Sequence, residues 1–161
     1  MAGSILGNRV LRKEDPKFLT TGGVYVDDLN SEPLLVGALH ATFVRSTVAH
    51  ANISSIDVAD ALESPGVVAI YTAADLDLQP VSATFNPMAK RTLLASNKVR
   101  YVGEPVAVVL TKLANQGEDA AEKVIVDYDT LEVLIDIEQA MTSTTYIYEE
   151  CGSNVVFDST A

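Results

Sequence analysis

Apolar positions are densest over residues 98–110, which read Lys-Val-Arg-Tyr-Val-Gly-Glu-Pro-Val-Ala-Val-Val-Leu. No polar residue interrupts residues 106–110, and a β-favouring run without alternation suits a strand covered on both faces. Gly103 permits a backbone geometry that other residues avoid, while Pro105 biases Glu104 toward an extended conformation and withdraws one backbone donor. A tight turn is therefore predicted at the entrance of a core strand. Residues 111–123 follow as a polar segment in which Leu113, Ala114, Ala120 and Ala121 share one side of a helix. Gly117 weakens that helix by up to about 1 kcal/mol relative to alanine and predicts a short one, starting as late as Glu118. Val124-Ile125-Val126-Asp127-Tyr128 then reads as a second strand. Strand, helix, strand is the order of a right-handed crossover if the strands are parallel, and this unit is the predicted nucleus of the fold.

Upstream, residues 1–20 form a leader segment with an apolar patch at Ile5 and Leu6, and charges of both signs precede Pro16. Gly22-Gly23 and Asp27-Asp28 bracket a short extended piece, Val24-Tyr25-Val26, with turn chemistry on either side. Residues 34–44 are long enough for a strand, and a loop leads into a second strand over 51–58, where Ile53 and Ile56 break strict alternation and predict a bulge or bend. Residues 59–63 make one helical turn stopped by Pro65-Gly66. Residues 67–71 form a third strand, and Thr72 is placed to cap a brief helix over 73–76. Residues 77–93 contain Pro80, Asn86-Pro87 and the basic pair Lys90-Arg91 with little periodicity, which predicts a long loop facing another protein surface. Beyond the central unit, 131–137 is apolar, 138–141 is a helical turn and 146–150 is extended. Residues 152–161 are an exit linker in which Val155-Val156-Phe157 calls for a packing partner.

With 161 residues and 48% hydrophobic content, one globular domain over 1–161 is expected, with a core large enough to need no staples. The net charge of −11, from eleven basic and twenty-two acidic residues, argues against a nucleic-acid partner. The lone Cys151 makes no internal disulfide, and neither a secretory leader nor an apolar run of spanning length is seen. A cytoplasmic, non-membrane protein is expected.

The candidate chemistry is sparse. Asp27 and Asp28 are adjacent in an extended piece, so their side chains face opposite ways and suit a turn better than a paired site. His40 and His50 match no compact ligand spacing and no cysteine cluster accompanies them; a histidine bonded to backbone in a loop is the expected state. Cys151 stands beside Glu149 and Glu150, which oppose a thiolate. Glu104 before a proline suits a surface or capping role better than a general base. Nucleotide-binding, P-loop, zinc-protease, hydrolase-elbow, redox-cysteine and EF-hand motifs are all missing. No catalytic, cofactor-binding or metal-binding residue is assigned.

Several separate stretches nevertheless come in one order and spacing. They are Leu11-Arg12-Lys13-Glu14-Asp15-Pro16-Lys17-Phe18-Leu19-Thr20, Gly23-Val24-Tyr25-Val26-Asp27-Asp28, Phe43-Val44-Arg45-Ser46, Ala49-His50-Ala51, Ile56-Asp57, Pro65-Gly66-Val67-Val68-Ala69-Ile70-Tyr71-Thr72-Ala73-Ala74-Asp75-Leu76, Val99-Arg100-Tyr101-Val102-Gly103-Glu104-Pro105-Val106-Ala107-Val108-Val109, Glu118-Asp119-Ala120-Ala121-Glu122 and Val126-Asp127-Tyr128. In this the chain resembles the amino-terminal a/b hammerhead domain of the molybdenum hydroxylase large subunit, on the carbon monoxide dehydrogenase and aldehyde oxidase side of the aldehyde oxidase and xanthine dehydrogenase family. The resemblance covers nearly the whole chain. It implies an α+β fold with a mixed sheet and short crossover helices.

The resemblance also implies an oxidoreductase whose complete large subunit binds a molybdopterin cofactor, with iron–sulfur clusters and flavin (FAD) on companion chains. In that family the molybdenum ligands, cofactor loops and catalytic glutamate lie in the longer region that follows this domain. The chain is thus expected to be non-catalytic, to hold no cofactor itself and to pack against the molybdopterin-binding region. Phe157 falls where the family's chain leaves the hammerhead, which suggests a separately encoded or truncated first domain. Two departures fall in loops. Thr20-Thr21 stands where the family usually has Thr-Gly before a further glycine, and Ser46-Thr47-Val48-Ala49-His50 where it usually has Ser-Pro-His-Ala-His. The alternative function class is a free-standing interaction module, or a decayed fragment, that keeps the fold without the enzyme; the coding sequence just downstream discriminates between the two.

Overall fold

The computed structural model describes residues 12–20, 22, 29 and 32–159. The chain divides into two compact units, residues 1–38 and 39–161. In the first, helix α1 (Asp15–Thr20) starts on an acidic residue and ends with the Thr20 hydroxyl donating to the Pro16 carbonyl at 2.6 Å. A 3₁₀ turn follows at Pro33–Leu35. The extended piece expected at 24–26, with Asp27 and Asp28, lies outside the described residues.

Among its described residues the second unit carries eight strands. The first sheet is β1 (His40–Arg45), β7 (Pro105–Thr111) and β3 (Val67–Thr72), with β7 central. The second is β6 (Lys98–Val99), β2 (Ala51–Asp57) and β8 (Ile125–Thr130), with β2 central. A two-stranded hairpin, β4 (Val81–Ala83) and β5 (Asn86–Arg91), stands apart from both. Three helices complete the unit: α2 (Ala59–Leu62), α3 (Gly117–Ala121) and α4 (Ile137–Thr142).

Strand β7 pairs with β1 and β3, which uses both of its edges, and Val106, Ala107 and Val109 are buried. A run with no polar interruption is what this position needs. One core cluster gathers Val44 of β1, Ile70 of β3, Ala51 of β2, Val99 of β6, Ala61 of α2 and Ala120 of α3 around it. The first strand is shorter than the apolar run 34–44 predicts. Gly37 takes φ +79°, and the turn there delays regular extension to His40.

The strand, helix, strand unit corrects one expectation. Strands β7 and β8 belong to different sheets, and every strand pairing among the described residues is antiparallel, so α3 is not a parallel crossover. Asp127 and Asp129 alternate with the half-buried Val126 and Tyr128 in β8, the pattern of a strand with one wet face. Other local expectations hold. A register shift falls between Ile53 and Ser55 in β2, and the Thr72 hydroxyl accepts from the Ala74 amide while Asp75 accepts from the Thr72 amide at 2.7 Å.

Residues 77–93 are not an irregular loop, because β4 and β5 form within them. Residues 146–150 are not a strand. The Ile147 amide donates to Asn154 Oδ1 at 2.9 Å and the Ile147 carbonyl accepts from Arg100 Nε at 3.0 Å, so side chains satisfy the backbone groups that a ladder would use. Residues Glu149–Cys151 close in a 3₁₀ turn.

Gly117 has a packing reason to be glycine. It begins α3 with ordinary helical angles, but a Cβ there would lie 2.0 Å from Thr42 Oγ1 and 2.9 Å from Thr42 Cβ. Helix propensity favours Gly117→Ala by about 1 kcal/mol, whereas overpacking costs about 1–3 kcal/mol. Gly117→Ala is therefore expected to lower the denaturation midpoint, and Thr42→Ala in the same chain to restore part of the loss. A raised midpoint for Gly117→Ala alone would show that α3 shifts freely from β1.

Candidate functional site

The best-organised polar cluster of the larger unit lies at the entrance of β7. Gly103 adopts φ +92°, which turns the chain so that Glu104 points inward. Glu104 is only 5% exposed, and its Oε2 accepts from the Arg100 amide at 2.5 Å, closing the turn on itself. The same turn is fastened to the end of β1. The Ser46 amide donates to the Glu104 carbonyl and the Gly103 amide to the Ser46 carbonyl, both at 2.8 Å, while Arg45 donates to the Gly103 carbonyl at 2.9 Å. The Ala95 amide donates to the Pro105 carbonyl at 2.8 Å. Glu104 is thus the capping residue foreseen from its sequence context, but a buried one. Arg100 extends the cluster toward the carboxyl-terminal side, where its guanidinium sits 4.9 Å from the centre of the Tyr148 ring.

His50 is buried at 3% exposure, and its Nδ1 pairs with the Glu132 carbonyl at 2.8 Å, the backbone-bonded state expected of it. With a carbonyl as partner, Nδ1 is the donor in that bond, and Nε2 is buried with no hydrogen-bond partner among the described residues. An open groove of about 560 Å³ runs past His50, Asn52, Lys98, Thr145 and Glu149. Lys98 hydrogen-bonds Glu149 and holds its carboxyl below the usual carboxylate range. The stabilisation from that shift is present above the unfolded carboxylate value and is lost as pH falls through the folded one. With Glu149 58% exposed, it stays within the roughly 0–1 kcal/mol of a surface pair.

These residues do not assemble a reaction centre. His40 begins β1 opposite Thr111, whereas His50 precedes β2 in the other sheet. Cys151 is free, and among the described residues no histidine hydrogen-bonds to it. Among the described residues no three His, Cys, Asp or Glu side chains gather in a way that could hold a metal ion.

A family model described as the aldehyde oxidase and xanthine dehydrogenase a/b hammerhead domain matches residues 20–132. The chain belongs to this family. The hammerhead chain is 40% identical over 158 residues to the nicotine 6-hydroxylase large subunit of Paenarthrobacter nicotinovorans, covering 94% of this chain and 19% of that subunit. It is 41% identical over 139 residues to the carbon monoxide dehydrogenase large chain of Afipia carboxidovorans, covering 84% of this chain and 16% of that one. Its fold matches the crystal structure of a Cu,Mo carbon monoxide dehydrogenase with a TM-score of 0.70 and 40% identity, over 84% of this chain and 17% of that one. The hammerhead chain thus spans less than a fifth of the length of these relatives. It also contains no membrane-crossing helix among the described residues.

Two of the family stretches quoted from the sequence meet in the Glu104 turn. Phe43-Val44-Arg45-Ser46 and Val102-Gly103-Glu104-Pro105 are far apart in the chain but bonded to each other here. Sequence reasoning missed that pairing, because nothing in either stretch alone names its partner. Glu104→Ala removes the acceptor of the buried Arg100 amide and is expected to cost about 1–3 kcal/mol in a denaturant melt, with Glu104→Gln recovering part of it. Gly103→Ala meets no atom within 4 Å, so its expected loss of about 1 kcal/mol or more comes from the positive φ alone. Unchanged midpoints for both Glu104→Ala and Gly103→Ala would mean the turn carries no strain and no buried bond of consequence.

Proposed function

We propose that this hammerhead domain is a non-catalytic part of a molybdenum hydroxylase large subunit of the carbon monoxide dehydrogenase and aldehyde oxidase kind, and that it packs against the molybdopterin-binding region of that subunit. The observation that carries the reading is the shape of the match. Identity of 40% extends over nearly all of this chain yet accounts for only 19% of the nicotine 6-hydroxylase large subunit. A domain that matches large subunits over nearly its whole length while covering less than a fifth of theirs supplies scaffold rather than chemistry.

In the complete enzyme the molybdopterin group supplies the oxidation chemistry, and iron–sulfur and flavin chains take the electrons. No residue of the hammerhead chain is assigned to hold those groups, and none is assigned a proton-transfer role. What the chain's own residues do is fix one surface. The bonds from Arg45, Ser46 and Arg100 to the Glu104 turn set the angle between the end of β1, the start of β7 and the segment after Tyr146. A cytoplasmic setting belongs to the same proposal, and the unpaired Cys151 supports it.

Purified alone, the 161-residue chain is expected to retain far less than one molybdenum atom per chain by mass spectrometry, and no pterin fluorescence after denaturation. Supply of molybdate and pterin during expression should not change this. Stoichiometric molybdenum on the isolated chain would overturn the non-catalytic reading.

A further inference from the structure

We infer that the β4–β5 hairpin, together with residues 155–157, is the docking face for the polypeptide that continues beyond Asp158 in a full-length large subunit. The inference rests on the reading above and names the surface it uses. An isolated two-stranded hairpin is marginal in water, yet this one pairs with neither three-stranded sheet. Within β5, Asn86, Met88 and Lys90 share one face and Pro87, Ala89 and Arg91 the other, and only Ala89 is buried. The hairpin therefore has one side on the body and one side uncovered.

The uncovered side is already partly used. Asn86 Nδ2 donates to the Val156 carbonyl at 3.0 Å, and the Phe85 and Phe157 rings meet with centroids 5.6 Å apart. This contact supplies the partner expected for Val155-Val156-Phe157, and it lies within the chain rather than on a separate surface. It is incomplete, since both rings remain 62% exposed and Met88, on the same face of β5 as Asn86, is exposed as well. Aromatic rings left this open, with the exposed Lys90 on the same face of β5 as Asn86 in a chain of net charge −11, suit a partner with an apolar centre and a carboxylate rim.

The occupant follows from where the backbone lies. Residues 155–157 are held on the hairpin, so in a subunit more than five times as long as the matched stretch the polypeptide after Asp158 starts on this face. No connection has to cross the domain to reach it. A contact between continuous segments costs little loop-closure entropy, which favours this face over the exposed apolar side chains of the two larger sheets.

The test compares hydrogen–deuterium exchange in the 161-residue chain with exchange in a full-length nicotine 6-hydroxylase large subunit whose matching stretch has been replaced by this chain. Peptides spanning residues 81–91 and 155–157 are expected to exchange at least about tenfold more slowly in the graft, with residues 125–130 changing little. Protection appearing on another face while 81–91 stays unchanged would overturn this docking face and leave the proposed function standing. No protection anywhere would overturn both. Slowing of 81–91 in the isolated chain that grows with its concentration would assign the face to a second copy and overturn the inference. A second graft, keeping the relative's own residues at the positions of 81–91 and 155–157, covers failure to fold. If only that second graft is soluble, the face must match the rest of the subunit, as inferred; if neither is, the parent reading and the docking face fall together.

Discussion

The buried carboxylate of Glu104, closing the turn that feeds β7, is the contact on which the larger unit depends. It can be buried because the Arg100 amide donates to it, and the turn that presents it exists because Gly103 accepts φ +92°. Strand β7 leaves this turn between β1 and β3, with Val106, Ala107 and Val109 in the common core. The ends of β1 and β7 are joined by paired backbone bonds between Ser46 and Gly103-Glu104. Beyond register shifts at Val44/Arg45 and Val67/Ala69, both neighbours pair with the central strand as far as Thr111. Arg100 transmits the same constraint outward, since one side chain satisfies the Ile147 carbonyl and covers the Tyr148 ring.

What was legible in the sequence is what neighbouring residues decide. The uninterrupted run at 106–110 marked the central strand of a sheet, with one face buried and Val108 and Leu110 on the other only half-buried, Thr72 and Asp75 marked a cap, and the broken alternation at Ile53 and Ile56 marked a register shift. The errors arose where distant residues decide. Residues 81–91 lack alternation and contain Pro87, and their ordering as a hairpin is supported by Asn86 and Phe85 reaching residues about seventy positions away. Residues 146–150 have strand composition, but Asn154 and Arg100 satisfy the Ile147 backbone first. The parallel crossover was inferred from element order alone, while Asp127 and Asp129 already carried the pattern of a strand with one wet face.

The functional reading was legible through resemblance rather than through chemistry. Among the described candidates, His50 is committed to the Glu132 carbonyl, Glu104 to the Arg100 amide, and Cys151 lies in a 3₁₀ turn. Those commitments are structural, and they fit a domain whose contribution to a large subunit is shape. The same view explains the contrast within the larger unit, between two sheets gathered around one core and a hairpin with a single buried side chain.

Native-state hydrogen exchange on the isolated chain, followed amide by amide, tests this account most directly. The amides of Val106, Ala107 and Val109 are expected to exchange only through global unfolding, together with those of Ser46 and Gly103 that fasten the turn, while the β4–β5 amides exchange faster through local opening. Hairpin amides as slow as those of β7, or turn amides that open independently of β7, would contradict the claim that the Glu104 turn and its strand hold the fold.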